Sequence, residues 1–261
     1  MDLAYKKLKL WFDAELASLL ADKIVLVYPS FQKDLFVAAV ADGTPELELK
    51  DRVELMADLL QEHLSGDFEQ DLILLNGILG PENEKETGMF SEYYWIMPIA
   101  KYVEKYGLDH FAPSMNMIEE ITKRNTGEYT IRPFIEKYQE TTIAVMLAWA
   151  KSPNKHVRRL ASEGGRPRLP WAKKLDAFIA DPTPLLPILD QLKDDPSKYV
   201  QKSVANCLND ILKDNYPIAR EVISSWLTQP IGKQRSWIIR HALRNLKKED
   251  NWAQEVVQGL S

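Results

Sequence analysis

Apolar residues recur at helical spacing along most of the chain. Leu49, Val53, Met56 and Leu60 follow one another at intervals of three or four residues, which places them on one face of an α-helix. Prolines and glycines interrupt this spacing and mark the ends of short helices. Residues 24–28 form the one run with strand-like composition, and it is too short to build a sheet. The pattern therefore predicts an all-α protein.

The second half of the sequence repeats itself. Pro-x-Lys-x-Val at 153–157 returns at 196–200, a shift of 43, and residues 205–211 resemble 240–246, a shift of 35. Units of about 35 to 47 residues with two or three helices each are typical of HEAT and armadillo repeats. Such units stack into a solenoid with a concave face. We therefore expect one HEAT-like α-solenoid domain over residues 1–261, with its groove on the concave face.

Charge is unevenly distributed along the chain. Residues 1–150 carry 14 Lys and Arg against 26 Asp and Glu, whereas residues 151–261 carry 19 against 12. An acidic N-terminal helical part joined to basic C-terminal repeats favours a basic groove that binds a polyanion. Accidental unevenness is the plainer alternative.

The densest positive charge lies between Lys155 and Lys174, where Glu163 is the one carboxylate among seven basic residues. The seven are Lys155, Arg158, Arg159, Arg166, Arg168, Lys173 and Lys174. Such a density of positive charge suggests a phosphate-binding surface. A lone carboxylate in that surface opposes the binding of phosphates. Arg159 and Glu163 share a face of a helix that we expect to end at the following double glycine. An exposed ion pair is the plainer interpretation, but the surrounding cations favour a functional site.

Three further residues are candidates for chemistry or binding. Glu128 precedes a helix expected to begin near Arg132, where a carboxylate also acts as a cap. Asp210 lies in a repeat, where a hydrogen bond to the neighbouring repeat is the plainer role. Trp171 follows the arginine-rich loop and is the best candidate for an exposed aromatic that packs against sugars or bases.

Histidine and cysteine usage points away from a metal site. The four histidines lack metal-ligand spacing, and Cys207 is the one cysteine, which we expect to be buried. No glycine-rich phosphate loop is present, so we expect no metal and no other cofactor. The single cysteine fits a reducing cytoplasm, and no apolar run approaches the length of a membrane span. We therefore expect a cytoplasmic protein without a membrane partner.

Several ordered motifs of this sequence resemble the AlkC-type bacterial DNA alkylation repair glycosylases, which are related to the AlkD type. They lie at residues 126–134, 156–171, 192–200, 203–211, 237–244 and, more weakly, 28–36. The resemblance spans nearly the whole chain. Some relatives add a C-terminal immunoglobulin-like domain, which we do not expect here because no strand-rich stretch precedes Ser261.

The resemblance implies base excision repair by a monofunctional glycosylase. Such an enzyme hydrolyses the N-glycosidic bond of cationic alkylated bases in duplex DNA, without flipping the base into a pocket. The expected lesions are 3-methylcytosine, 1-methyladenine and, as in the AlkD type, 3-methyladenine. The family's catalytic carboxylates match Glu128, Glu163 and Asp210, with Arg159 beside them. The resemblance also implies a nucleoid-associated bacterial protein, and a monomer suffices for binding in a groove.

We assign contacts with DNA to basic and aromatic residues of the second half. They are Arg158, Arg166, Arg168, Trp171, Lys202, Arg240 and Arg244. The alternative function is a non-catalytic HEAT-repeat module that binds nucleic acid or protein, because a fold alone does not give a function. The position of the three carboxylates separates the two hypotheses: convergence on the basic face favours the enzyme, and burial in separate ion pairs favours the module.

Overall fold

The computed structural model describes residues 6–228, 230–246 and 250–260. Every regular element in these ranges is a helix, so the all-α prediction is confirmed. None of these helices is long and apolar enough to cross a membrane. The chain divides into two compact units, Met1–Thr130 with a net charge of −12 and Ile131–Ser261 with +7. The single domain over residues 1–261 stays a prediction.

The first unit contains six α-helices and two short 3-10 helices within the described residues. The α-helices are α1 Ala14–Val27, α2 Lys33–Gly43, α3 Leu49–His63, α4 Phe68–Gly77, α5 Met97–Tyr106 and α6 Phe111–Thr122; the 3-10 helices are Leu8–Trp11 and Tyr94–Ile96. The strand-like run at residues 24–28 belongs mostly to α1, because Leu16, Leu20 and Ile24 bury one helical face. The Asp13 side chain caps the start of that helix.

The second unit contains nine α-helices and two 3-10 helices within the described residues. The α-helices are α7 Arg132–Lys137, α8 Gln139–Trp149, α9 Lys155–Glu163, α10 Asp176–Ala180, α11 Leu186–Leu192, α12 Lys198–Asp214, α13 Tyr216–Leu227, α14 Lys233–Ala242 and α15 Asn251–Gly259; the 3-10 helices are Thr183–Leu185 and Leu243–Asn245. Helix α12 lies at the centre of this unit and packs against α9, α13 and α14. Its apolar face, which includes Cys207 as expected, is fully buried.

Both copies of the 43-residue repeat begin a helix. Asn154 caps α9 through its side chain, and Ser197 caps α12 in the same way, each at the residue before the repeated lysine. The repeat in the sequence is therefore a repeat in the structure. It makes α9 and α12 equivalent helices of neighbouring repeats, and the two helices pack against each other.

The double glycine after α9 permits close packing. Gly164 has a φ of −61°, so the turn does not need a left-handed residue. A Cβ atom on Gly164 would lie 2.6 Å from Ile131 Cγ2, and one on Gly165 would lie 2.6 Å from Leu185 Cδ2. The helix ends where the sequence predicted, and there the backbone passes close to the side chains of Ile131, just before α7, and Leu185, just before α11.

Buried Arg132 fixes the same turn through the backbone. Its Nη1 donates to the carbonyl oxygens of Gly164 at 3.0 Å and Arg166 at 2.9 Å, and its Nη2 donates to that of Lys173 at 2.6 Å. These bonds satisfy carbonyl groups at the end of α9 that have no helical partner. The residue after the double glycine is therefore held in a defined position.

We expect Gly164→Ala to destabilise the protein, because the added methyl overlaps Ile131 and the carbonyl of Leu160. Overpacking of this kind lowers the free energy of unfolding by about 1–3 kcal/mol. Denaturant unfolding measures the change. Gly259→Ala is the matched control, since its Cβ meets no atom within 4 Å. An equal effect of the two substitutions would contradict the packing explanation.

Candidate active site

Two predicted catalytic carboxylates of the second unit meet at one arginine. Glu163 ends α9 and Asp210 lies within α12. Arg166 Nη1 donates to Glu163 Oε1 at 2.7 Å, and Arg166 Nε donates to Asp210 Oδ2 at 2.9 Å. Glu163 is only 5% exposed, Asp210 2% and Arg166 7%. The packing of α9 against α12 thus gathers charged groups that lie far apart in sequence.

Arg159 contacts the same carboxylate, as its spacing predicted. Its Nη2 lies 3.4 Å from Glu163 Oε1, and its guanidinium lies 5.1 Å from the ring centroid of Tyr199. The side chains of both charged residues are largely buried. The plainer interpretation, an exposed ion pair, is therefore wrong: this pair lies in the protein interior.

A pair of serine hydroxyls adjoins the carboxylate. Ser162 Oγ and Ser203 Oγ lie 2.6 Å apart across the α9–α12 contact, and both residues are buried. Ser203 Oγ also lies 3.4 Å from the carbonyl oxygen of Arg159, and its hydroxyl helps to lower the pKa of Glu163. Hydroxyl groups and arginines thus adjoin Glu163 together.

Electrostatics keep Glu163 ionised. Burial acts to raise the pKa of this carboxyl, but the positive charges of Arg159 and Arg166 outweigh it. Hydrogen bonds from Ser203 and Arg166 act in the same direction, so the pKa of Glu163 is lowered. Burial likewise acts to lower the pKa of Arg166, but Glu163 and Asp210 raise it. The cluster therefore holds a preorganised carboxylate that can stabilise a neighbouring cation or accept a proton.

Glu128 belongs to the first unit and is buried there. Its Oε2 accepts a hydrogen bond from Thr126 Oγ1 at 2.8 Å. Its convergence with the carboxylates of the second unit stays a prediction.

Three of the predicted DNA contacts are engaged with carboxylates. Arg158 pairs with Asp195 at 2.7 Å, Arg168 binds Asp214 through two nitrogens at 2.7 and 2.6 Å, and Arg166 bridges the cluster described above. Their positive charge is locally balanced. Phosphate binding by these three arginines stays a prediction, and the geometry favours other cations for that role.

Exposed cations gather on α12 and the end of α14. Lys202 is exposed, and Arg244 donates to Asn206 Oδ1 at 2.8 Å. Arg240 donates to the carbonyl oxygen of Leu260. DNA contacts by Lys202, Arg240 and Arg244 stay predictions, now placed on neighbouring helices.

Sequence reasoning missed an aromatic pair on α14. Trp237 and His241 stack with ring centroids 4.7 Å apart, and Lys198 Nζ lies 3.1 Å from the Trp237 centroid. Burial lowers the pKa of His241, and the charges of Arg244, Lys202 and Lys198 lower it further, so these cations face a common region. Two features of the sequence could have identified this pair: the four-residue spacing of Trp237 and His241, and the position of Lys198 in the repeat.

Trp171 is 80% exposed, as the sequence predicted. It has a φ of 67°, which is unusual for a bulky side chain. The surrounding loop is closed by backbone hydrogen bonds from Leu175 to Pro167 at 3.1 Å and from Ala172 to Leu169 at 3.3 Å. An ordered loop thus presents a large aromatic ring to solvent, while its contact with DNA stays a prediction.

Comparisons with known proteins find similar sequences and structures. Residues 102–246 match the family model of DNA alkylation repair enzymes. YhaZ of Bacillus subtilis (strain 168) is 41% identical over 244 residues, which make up 93% of this chain and 65% of that protein, so the chain spans about two thirds of this relative's length.

Two solved structures are also similar. Pseudomonas fluorescens alkylpurine DNA glycosylase AlkC, bound to DNA containing an abasic site analog, is 37% identical with a TM-score of 0.86. The match covers 98% of this chain and 69% of that one. AlkD2 from Streptococcus mutans is a remote likeness, with 19% identity and a TM-score of 0.42 over 89% of this chain and 98% of that one.

Proposed function

Because this chain belongs to the DNA alkylation repair enzyme family, we propose that it is a DNA glycosylase for cationic alkylated bases in duplex DNA. The observation that carries the proposal is the cluster of Glu163 and Asp210 around Arg166 inside a unit of charge +7. A scaffold needs no buried carboxylates that share one arginine. The likeness to the AlkC glycosylase supports the same reaction.

The chemistry follows from the charge of the lesion. A base alkylated on a ring nitrogen is cationic, so it leaves with the electron pair of the C1′–N bond as a neutral base. The deoxyribose becomes oxocarbenium-like, and ionised Glu163 and Asp210 stabilise that positive charge. Water then attacks C1′, and a carboxylate takes up its proton. Arg159 holds Glu163 in place. A role of Glu128 as a third carboxylate stays a prediction from the family resemblance.

The proposed substrates include purines and a pyrimidine. The AlkC relative is named an alkylpurine glycosylase, which favours 1-methyladenine and 3-methyladenine. We add 3-methylcytosine, because its ring is also cationic and the proposed mechanism acts on the sugar. Cleavage without insertion of the base into a pocket, which the family resemblance implies, is part of the proposal.

A monofunctional reaction leaves an abasic site and an intact strand. A lyase would need a neutral lysine as nucleophile, and Lys213 Nζ lies 3.4 Å from Asp210 Oδ1. Lys213 is thus engaged in an ion pair with that carboxylate and is not placed as a nucleophile. We therefore propose that the enzyme hydrolyses the glycosidic bond and does not cleave the strand. We also propose that it acts as a monomer in the bacterial cytoplasm.

The direct test uses duplexes that each carry one lesion. The set comprises 3-methylcytosine, 1-methyladenine, 3-methyladenine and 7-methylguanine, at low salt. We expect free base and an alkali-labile site with no strand break from at least one of the first three. Failure to release any base would reject the enzyme and favour the non-catalytic module, and a strand break trapped by borohydride would point to Lys213.

Glu163→Gln keeps the shape of the side chain and removes its charge. We expect the single-turnover excision rate to fall by roughly 10²–10³-fold, the size of effect seen when one electrostatic group of an active site is lost. Affinity for undamaged DNA should be equal or slightly higher, because a repulsion with phosphates is relieved. Arg159→Ala should weaken binding or slow excision by displacing Glu163. A wild-type excision rate in Glu163→Gln would mean that Glu163 is only the ion-pair partner of Arg159.

Lys202→Ala tests the basic surface on α12. We expect weaker binding to duplexes of every sequence and a salt dependence flattened by about one unit of slope, because one phosphate contact is lost. Fluorescence anisotropy at several salt concentrations measures both quantities. Lys193→Ala is the matched control, since that lysine is paired with Asp190 on α11. Indistinguishable salt slopes for the two variants would place the DNA elsewhere.

A further inference from the structure

We propose that Arg166 is a positioning residue that holds the Glu163 and Asp210 carboxylates together for the reaction, and that it does not contact phosphate. The proposal rests on the glycosylase function above and assigns a new role to a residue of the same site. Its basis is the contact geometry, the burial and the backbone anchoring of Arg166.

The geometry requires a guanidinium. Arg166 uses Nη1 for Glu163 and Nε for Asp210, so two edges of one planar group serve two carboxylates on different helices. A lysine at this position has a single nitrogen at the end of a flexible chain and cannot reproduce this fixed arrangement. Arg166 therefore sets the spacing between the two acids.

The side chain is turned inward. Arg166 is buried, and its backbone carbonyl is held by Arg132 at 2.9 Å, directly after the close-packed double glycine. Bidentate phosphate binding would require this guanidinium to give up at least one carboxylate, because its Nε and Nη1 are already engaged. Removal of one partner from a buried ionic group is strongly unfavourable, so the observed position is the stable one.

Neighbouring carboxylates need a shared cation to remain ionised. Like charges raise each other's pKa, and a protonated acid no longer stabilises an oxocarbenium ion. Arg159 contacts Glu163, and Lys213 contacts Asp210, whereas Arg166 contacts both. Arg166 is thus the cation that couples the two acids.

Other groups around the cluster complete its electrostatics. The Ser203 hydroxyl, on α12, helps to lower the pKa of Glu163. Arg244, after α14, is close enough for its pKa to be lowered, first by burial and then by the charge of Arg166, while Asp210 acts in the opposite direction. Arg159 and Arg166 both contact Glu163 Oε1, whereas Lys213 contacts Asp210 Oδ1, the oxygen that Arg166 does not use.

The test compares Arg166→Lys with Lys202→Ala. For each variant, the single-turnover excision rate is measured against pH, and the affinity for DNA with a stable abasic analogue is measured against salt. We expect Arg166→Lys to slow excision by roughly 10²-fold, as for loss of preorganised electrostatics. The acidic limb of its pH–rate profile should move to higher pH, because the single nitrogen of lysine cannot contact both carboxylates as the guanidinium does. The salt dependence of its DNA affinity should remain that of wild type.

Lys202→Ala should show the opposite result. The salt dependence of its DNA affinity should flatten by about one unit of slope, and the acidic limb of its pH–rate profile should not move. The proposal is overturned if Arg166→Lys behaves in this way. It is also overturned if Arg166→Lys shifts neither the acidic limb nor the excision rate.

A measurement without catalysis separates this proposal from the proposed function. ¹³C NMR titration of the Glu163 side chain reports its pKa in the free protein. A raised pKa in Arg166→Lys supports the coupling even if wild type releases no base, and an unchanged pKa overturns it. If Arg166→Lys fails to fold by circular dichroism, Asp210→Asn replaces it. Arg166 then serves Glu163 alone, so the pKa of Glu163 should fall, and an unchanged value would reject the coupling.

Discussion

Ionised carboxylates in a protein interior require compensating cations, and this constraint organises the second unit. Glu163 and Asp210 are nearly inaccessible to solvent, so Arg166 must reach both of them. That reach depends on a short turn after α9, which only the double glycine allows at this packing distance. The Arg132 side chain holds this turn by donating hydrogen bonds to the carbonyl oxygens of Gly164 and Arg166. Helix packing, backbone and charge are thus parts of one arrangement.

The same constraint explains how an acidic site exists in a basic surface. The carboxylates are buried at the contact of α9 with α12 and are paired with arginines, while Lys202 and Arg244 are exposed on α12 and beyond α14. In the proposed complex, the exposed cations contact the phosphates and the buried negative charge acts over a short range. Because unpaired surface charges are screened by salt and buried ones much less, binding and chemistry should respond differently to ionic strength.

Local features of the structure were predictable from the sequence. The all-α class, the end of α9, the contact of Arg159 with Glu163 and the exposure of Trp171 follow from spacing and composition over a few residues. The long-range partners of Arg158, Arg166 and Arg168 were not predictable, since Asp195, Asp210 and Asp214 lie 37, 44 and 46 residues away. Density of basic charge therefore suggested phosphate contacts where long-range ion pairs exist. Periodicity fixes which face of a helix is buried, but it does not identify the side chain that faces it from another helix.

The central claim is that these carboxylates stabilise positive charge on the sugar. Its most direct test compares the affinity of the protein for two duplexes, one with a cationic pyrrolidine in place of a deoxyribose and one with the neutral tetrahydrofuran. A site complementary to an oxocarbenium ion binds the cationic analogue more tightly, by roughly 10²-fold or more. Glu163→Gln should remove most of that preference while leaving the affinity for tetrahydrofuran DNA intact. Equal affinity of the wild-type protein for the two duplexes would contradict the claim.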